Sequence, residues 1–170
     1  FGTRFIEERC GAAINSCAFV STEDIETRGP LAFSWTMDAL MLGVGVGHDT
    51  KGANKITIKE PKKSEGLNFI IPDTREGWGE SLDSLLNSFF YGKQLPIFDY
   101  SKIRIAGLPI KGLGGISSGP ESLKELHIDI EELLKKRTGE QLRSVDIVDI
   151  MNLIARTVIS GNVRRSAEIS

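Results

Sequence analysis

Residues 144–170 read SVDIVDIMNLIARTVISGNVRRSAEIS, and this stretch limits the fold more than any other. Ser144 suits a helix N-cap, and Asp146 puts negative charge in the first turn, where the helix dipole favours it. Val145, Val148, Ile150, Met151, Ile154, Val158 and Ile159 cover most of the circumference, so the helix is expected to be buried. Asp146, Asp149, Arg156 and Ser160 leave only a thin polar stripe. Gly161 stands where a C′ glycine ends a helix. Asn162, Val163, Arg164, Arg165 and Ser166 then form a short, doubly cationic segment, and residues 167–170 alternate like a strand. This order places fixed positive charge at the edge of a core, and the planar arginine fork binds oxyanions bidentately. A plain helix–strand loop with two solvated arginines satisfies the same pattern.

The totals set the class. A chain of 170 residues, 40% hydrophobic and 26% charged, has enough apolar surface for one globular core. A net charge of -2 argues against a general nucleic-acid or membrane-surface binder. No apolar run reaches the length of a membrane span. Two cysteines, Cys10 and Cys17, fit a reducing compartment, the cytoplasm, better than a disulfide framework. Phe1 in place of a methionine, and a last strand still running at Ser170, suggest a piece of a longer polypeptide.

Three further stretches carry possible chemistry. Residues 14–20 read as a buried strand holding Asn15, Ser16 and Cys17 together, although cysteine is often simply a small core residue. Pro30 opens a helix over 31–42 that is apolar nearly all round, and its Asp38 requires a partner. That helix runs into Gly43-Val44-Gly45-Val46-Gly47, read as a glycine loop whose free N–H groups suit an anion. The spacing is not that of a dinucleotide fingerprint or a Walker loop. Residues 112–120, GLGGISSGP, make a second such loop before a helix over 120–137, with a flexible connection as the alternative. His48 and His127 have no metal-ligand company, so no metal site is expected.

The middle of the chain predicts a more exposed α+β lobe over 48–143. Residues 55–59 and 68–71 read as two strands joined by a charged turn, and 95–98 and 102–105 as further strands. Asp73 and Glu76 have the spacing of a capping box for a helix ending at Gly92, whose face holds Trp78, Leu82, Leu85, Leu86, Phe89 and Phe90. Composition and spacing lead as far as a nucleotide-binding α/β domain with a cysteine that could be redox-active.

Five blocks go further: GAAINSCAFVST (11–22), PLAFSWTMDALMLGVGVG (30–47), PDTREGW (72–78), GLGGISSGP (112–120) and SVDIVDIMNLIARTVISGNVRRSAE (144–168). In this order the chain closely resembles the monomeric branch of the class II, adenosylcobalamin-dependent ribonucleoside-triphosphate reductases. The resemblance implies α/β architecture: part of a ten-stranded barrel, with the first strand and buried helix in 1–47, an inserted effector-binding lobe in 48–143, and a barrel helix, specificity loop and strand in 144–170. It implies that Cys17 is half of a thiol pair oxidised in turnover, and that Ser16 and Gly45 meet the substrate. Ser117 and Ser118, with Asp38 as a weaker candidate, would hold the effector. Gly161, Asn162, Val163, Arg164, Arg165 and Ser166 would be the specificity loop.

The implied reaction starts with cobalt–carbon homolysis in adenosylcobalamin, whose site lies mostly outside this chain. A thiyl radical then removes the ribose 3′-hydrogen, and the 2′-hydroxyl leaves as water. Implied partners are a ribonucleoside triphosphate, a deoxynucleotide effector, a thioredoxin-like reductant and the remainder of the barrel. Cys10 matches no family role and reads as structural. No Asn-Pro-Cys-Gly stretch occurs in the 170 residues, so the radical-bearing cysteine lies elsewhere and the segment alone is expected to be inactive. The rival readings are a catalytically inactive nucleotide-binding piece, or a structural piece completed by another chain.

Overall fold

A computed structural model describes residues 8, 15–63, 66–110, 116–160 and 168–169. Its first sheet has three parallel strands in sequential order: β1 (Cys17–Val20), β2 (Gly45–His48) and β5 (Glu168–Ile169). Between β1 and β2 come a short helix, α1 (Ile25–Arg28), and α2 (Leu31–Met41); α5 (Ser144–Ser160) precedes β5. Ala18, Val20 and Val46 face the core, and α2 and α5 pack on each other there. Parallel strands advancing in one direction under mutually packed crossover helices match a section of an α/β barrel wall.

The lobe interrupts the second crossover. It holds β3 (Asn68–Ile70), α3 (Arg75–Tyr91) and β4 (Ile97–Asp99), a unit whose two strands pair in parallel, followed by α4 (Glu121–Lys135). Around the bundle α2 packs on α3, α3 on α4, α4 on α5, and α5 on α2. Phe33, Met37 and Leu40 of α2, Leu82, Leu85 and Phe89 of α3, Leu123 and Ile130 of α4, and Ile150 and Ile154 of α5 belong to a single buried cluster. The expected apolar face of α3 therefore points inward, with Trp78 partly buried at its edge.

Several expectations need correction. Residues 43–47 are not a loop: Gly43 makes the turn at φ +80°, and Gly45 to Gly47 lie in the central strand. Val44 and Val46 are each 1% exposed, so burial at every second residue selects a strand over an anion cradle. Residues 55–59 do not pair with β3. Only Thr57 bridges, to Gln141, because the backbone around Ile58 is bonded to Glu140 and to Phe89 at the end of α3. Residues 102–105 turn rather than extend, since Asp99 Oδ1 accepts from Ser101 N at 2.8 Å and Tyr100 O from Ile103 N.

The cap of α3 is Thr74, whose hydroxyl accepts from Gly77 N at 3.0 Å. Gly77 has no room for a side chain there, because a Cβ would sit 2.7 Å from Pro72 O. Helix α5 is one-sided rather than buried all round. Val145, Asp149, Asn152, Arg156 and Ile159 form an exposed stripe at spacings of three and four, while Asp146 is buried. Cys10 and residues 161–166 lie outside the described residues.

Candidate functional site

Strand alternation sorts the first sheet into two faces. Ala18 and Val20 turn toward the helices, so Cys17 and Phe19 stand on the open face, where Phe19 is 65% exposed. Cys17 is a free, exposed thiol. The parallel register sets Cys17 against Gly45 and Phe19 against Gly47, so the thiol stands beside strand backbone that carries no side chains. Ser16 O accepts from Gly45 N at 2.9 Å, which ties the residue before the thiol to the same strand. Ser16 is exposed and precedes the strand, so the alternation that would send its side chain away from Cys17 does not govern it.

The C-terminal ends of β1 and β2 are locked by Asp49. Its carboxylate accepts from Ser21 Oγ at 2.7 Å, Thr22 N at 2.9 Å, Thr22 Oγ1 at 3.1 Å and Lys51 N at 3.2 Å. Burial raises this carboxyl, but the hydrogen bonds outweigh it and leave Asp49 below the usual carboxylate range.

A second cluster gathers at the start of α3. Asp38 of α2 has the partner its burial demanded: Arg75 Nη1 lies 2.7 Å from Oδ1 and 2.8 Å from Oδ2. Burial still holds the Asp38 carboxyl above its ordinary value against the attraction of Arg75. Asp73, freed from capping, accepts from Arg104 Nε at 2.6 Å. Ser117 Oγ lies 3.4 Å from Arg104 O and accepts from Gly119 N at 3.0 Å, while Ser118 Oγ lies 3.1 Å from Ser122 Oγ. Sequence reading took Asp73 for a helix cap and missed Arg75 and Arg104. One signal was available: an arginine as the first residue of a helix opposes the dipole and calls for an acid nearby.

Behind this cluster lies a fully bonded histidine. Ser81 Oγ donates to Trp78 O at 2.8 Å, so it accepts from His127 Nε2 at 3.1 Å. Nδ1 is then the acceptor for the Tyr100 hydroxyl at 2.7 Å. Burial pushes His127 down to about 3, and burial, followed by the charge of Glu131, pushes Tyr100 up to about 12. The Phe98 ring lies 4.4 Å from the imidazole. This network joins α3, α4 and the end of β4, and it holds the histidine neutral. Among the described residues no group of three His, Cys, Asp or Glu side chains is placed to hold a metal ion. Nor is any helix there long and apolar enough to cross a membrane.

The family model for the B12-dependent ribonucleotide reductase insertion domain matches residues 46–134. The chain belongs to this family. Its likeness extends beyond the insertion. It is 51% identical to a probable adenosylcobalamin-dependent ribonucleoside-triphosphate reductase of Dictyostelium discoideum over 94% of this chain and 23% of that protein. The corresponding enzyme of Euglena gracilis is 48% identical over 94% of this chain and 22% of its own length. That of Lactobacillus gasseri is 31% identical over 96% and 30%. The crystal structure of a B12-dependent (class II) ribonucleotide reductase superposes with a TM-score of 0.66 at 31% identity, covering 81% of this chain and 24% of that one. The α/β assignment from sequence therefore stands, and this reductase segment spans between 22% and 30% of the curated relatives it matches.

Proposed function

We propose that this chain is a working part of an adenosylcobalamin-dependent ribonucleoside-triphosphate reductase, supplying one wall of the substrate pocket and the lobe that holds a deoxynucleotide effector. The observation that carries the reading is Cys17 on the open sheet face, in register with Gly45, in a chain of this family. Glycine at 45 and 47 lets a nucleotide approach the backbone beside the thiol. Ser16 and Gly45 contact the substrate from this floor. Cys17 and a second cysteine outside the segment become one disulfide, giving up two electrons and two protons. The ribose C2′–O bond breaks, a C2′–H bond forms, and the oxygen leaves as water. A thioredoxin-like dithiol restores the pair by exchange, which places the whole protein in the reducing cytoplasm.

The effector is held in the lobe of residues 48–143, at Ser117, Ser118 and Arg104; Asp38, paired with Arg75, supports the site without touching the nucleotide. Residues 161–166, including Arg164 and Arg165, read its identity to the substrate. Adenosylcobalamin supplies the radical chemistry in the whole protein. Among the described residues no three potential ligands gather to hold a metal ion, both His127 ring nitrogens are engaged, and no residue here is assigned to it. The remaining barrel strands would cover the face that exposes Phe19.

The test is Cys17→Ser in the complete polypeptide. Substrate and effector binding should persist, while repeated turnover with a dithiol reductant should be lost. Sustained turnover by that variant would remove Cys17 from the redox pair.

A further inference from the structure

An ion pair ties the lobe to α2 at the first turn of α3. Arg75 holds both carboxylate oxygens of Asp38, and its Nη2 donates to Glu76 Oε1 at 3.0 Å. Two residues earlier, Asp73 holds Arg104, which begins the segment leading to Ser117. The Arg75 and Arg104 side chains are 21% and 28% exposed and their partners Asp38 and Asp73 40% and 30%, so both pairs are partly sheltered. On the other side, Asp38 sits in the last turns of α2, which ends at Met41 and passes through the Gly43 turn directly into Gly45 beside Cys17. Helix α2 is gripped by the fully buried Phe33, Met37 and Leu40, so it transmits displacement as a rigid body.

We propose that Arg104–Asp73 and Arg75–Asp38 form a two-position relay carrying effector occupancy to the glycine floor under the substrate, with Arg75 as its positioning residue. The proposal rests on the effector reading above and adds a route separate from residues 161–166. In one state Arg104 stays on Asp73 and Arg75 grips Asp38, as in this structure. In the other the anionic groups of a bound nucleotide take Arg104. Asp73 is then drawn to Arg75, two residues along the same turn, and the hold on Asp38 loosens. The two states differ in which acid each arginine contacts, the differential contact that coupling between sites requires. Arginine suits the central position because its fork can engage one carboxylate while remaining charged for another.

The experiment uses the complete polypeptide carrying Arg75→Met, Arg75→Lys, Asp38→Asn, or Asp38→Asn with Arg75→Met. Each of the four deoxynucleoside triphosphates is tested for its dissociation constant and for the ratio of substrate kcat/KM with and without it. In Arg75→Met the dissociation constants should stay within about twofold while the stimulation ratio falls about fivefold or more. Arg75→Lys should recover part of the ratio, and the double variant should be no worse than Arg75→Met alone. An unchanged ratio in Arg75→Met overturns the relay. So does a loss of nucleotide binding as large as the loss of stimulation, which would make Arg75 a direct ligand. If Arg75→Met fails to fold, Arg75→Lys and Asp38→Asn decide by the same two readings. If the unmodified protein binds none of the four nucleotides, the effector reading itself fails, a result distinct from normal binding with an insensitive relay.

Discussion

Acid should destabilise this protein at a pH where most of its carboxylates are still charged, and His127 sets the onset. Its imidazole is 3% exposed, both nitrogens are bonded, and its folded value lies near 3 against 6.5 in the open chain. A depressed histidine stabilises the fold fully above its unfolded value and loses that contribution as pH falls from 6.5 toward 3. A full differential proton costs about 1.4 kcal/mol per pH unit and the open-chain imidazole is half protonated at 6.5, so acidifying from 6.5 to 4.5 should remove roughly 2 kcal/mol. His48 is also lowered by burial and has the same sign. Asp38 and Asp83 are raised by burial and act in the opposite direction. The comparison that isolates His127 is therefore urea unfolding of the parent and of His127→Gln, each at neutral pH and near pH 4.5. Glutamine does not titrate and keeps both a donor and an acceptor, so the acid-induced loss should shrink by roughly 2 kcal/mol. Equal acid loss in the two proteins would refute a neutral, fully bonded His127.

Asp146→Ala should cost about 3 kcal/mol in denaturant unfolding at neutral pH, because the buried carboxylate accepts from Arg143 N, Nε and Nη2 and lies 3.5 Å from Arg137 Nε. Burial raises the Asp146 carboxyl, but its bonds to Arg143 and the charge of Arg137 outweigh that and depress it. The stability it contributes should thus be present above pH 3.8 and fade below it, which unfolding of the parent at lower pH would register. In the complete enzyme, Arg165→Ala should change which deoxynucleotide stimulates reduction of which substrate, with unfolding midpoints nearly constant. Unchanged pairing in a steady-state assay would count against residues 161–166 as the specificity loop.

Periodicity found the helices because their burial is local to each element. Trp78, Leu82, Leu85 and Phe89 repeat at helical spacing, and the helix over 75–91 follows. Glycine misled at 43–47, where the valines, not the glycines, determine the conformation. The valines are buried in the cluster that α2 and α5, far apart in the chain, build together. The same long-range dependence hid the pairing of β3 with β4, because strand candidates at 55–59 looked closer in sequence. Cys17 was legible as a thiol on a strand and Asp38 as an acid needing a partner, but Arg75 could not be named as that partner without the packing of α2 on α3, nor Arg104 as the partner of Asp73. Resemblance supplied the role of Cys17, and alternation supplied the face on which it stands.

The central claim is that Cys17 gives up electrons to the ribose. In the complete enzyme, fully reduced and then allowed one round of ribonucleoside-triphosphate reduction without external reductant, peptides carrying Cys17 can be quantified by differential alkylation and mass spectrometry. The account predicts that Cys17 enters a disulfide in step with deoxynucleotide formed, one bond per product, and only when substrate is present. Product formation with the Cys17 thiol still free to alkylate would contradict it.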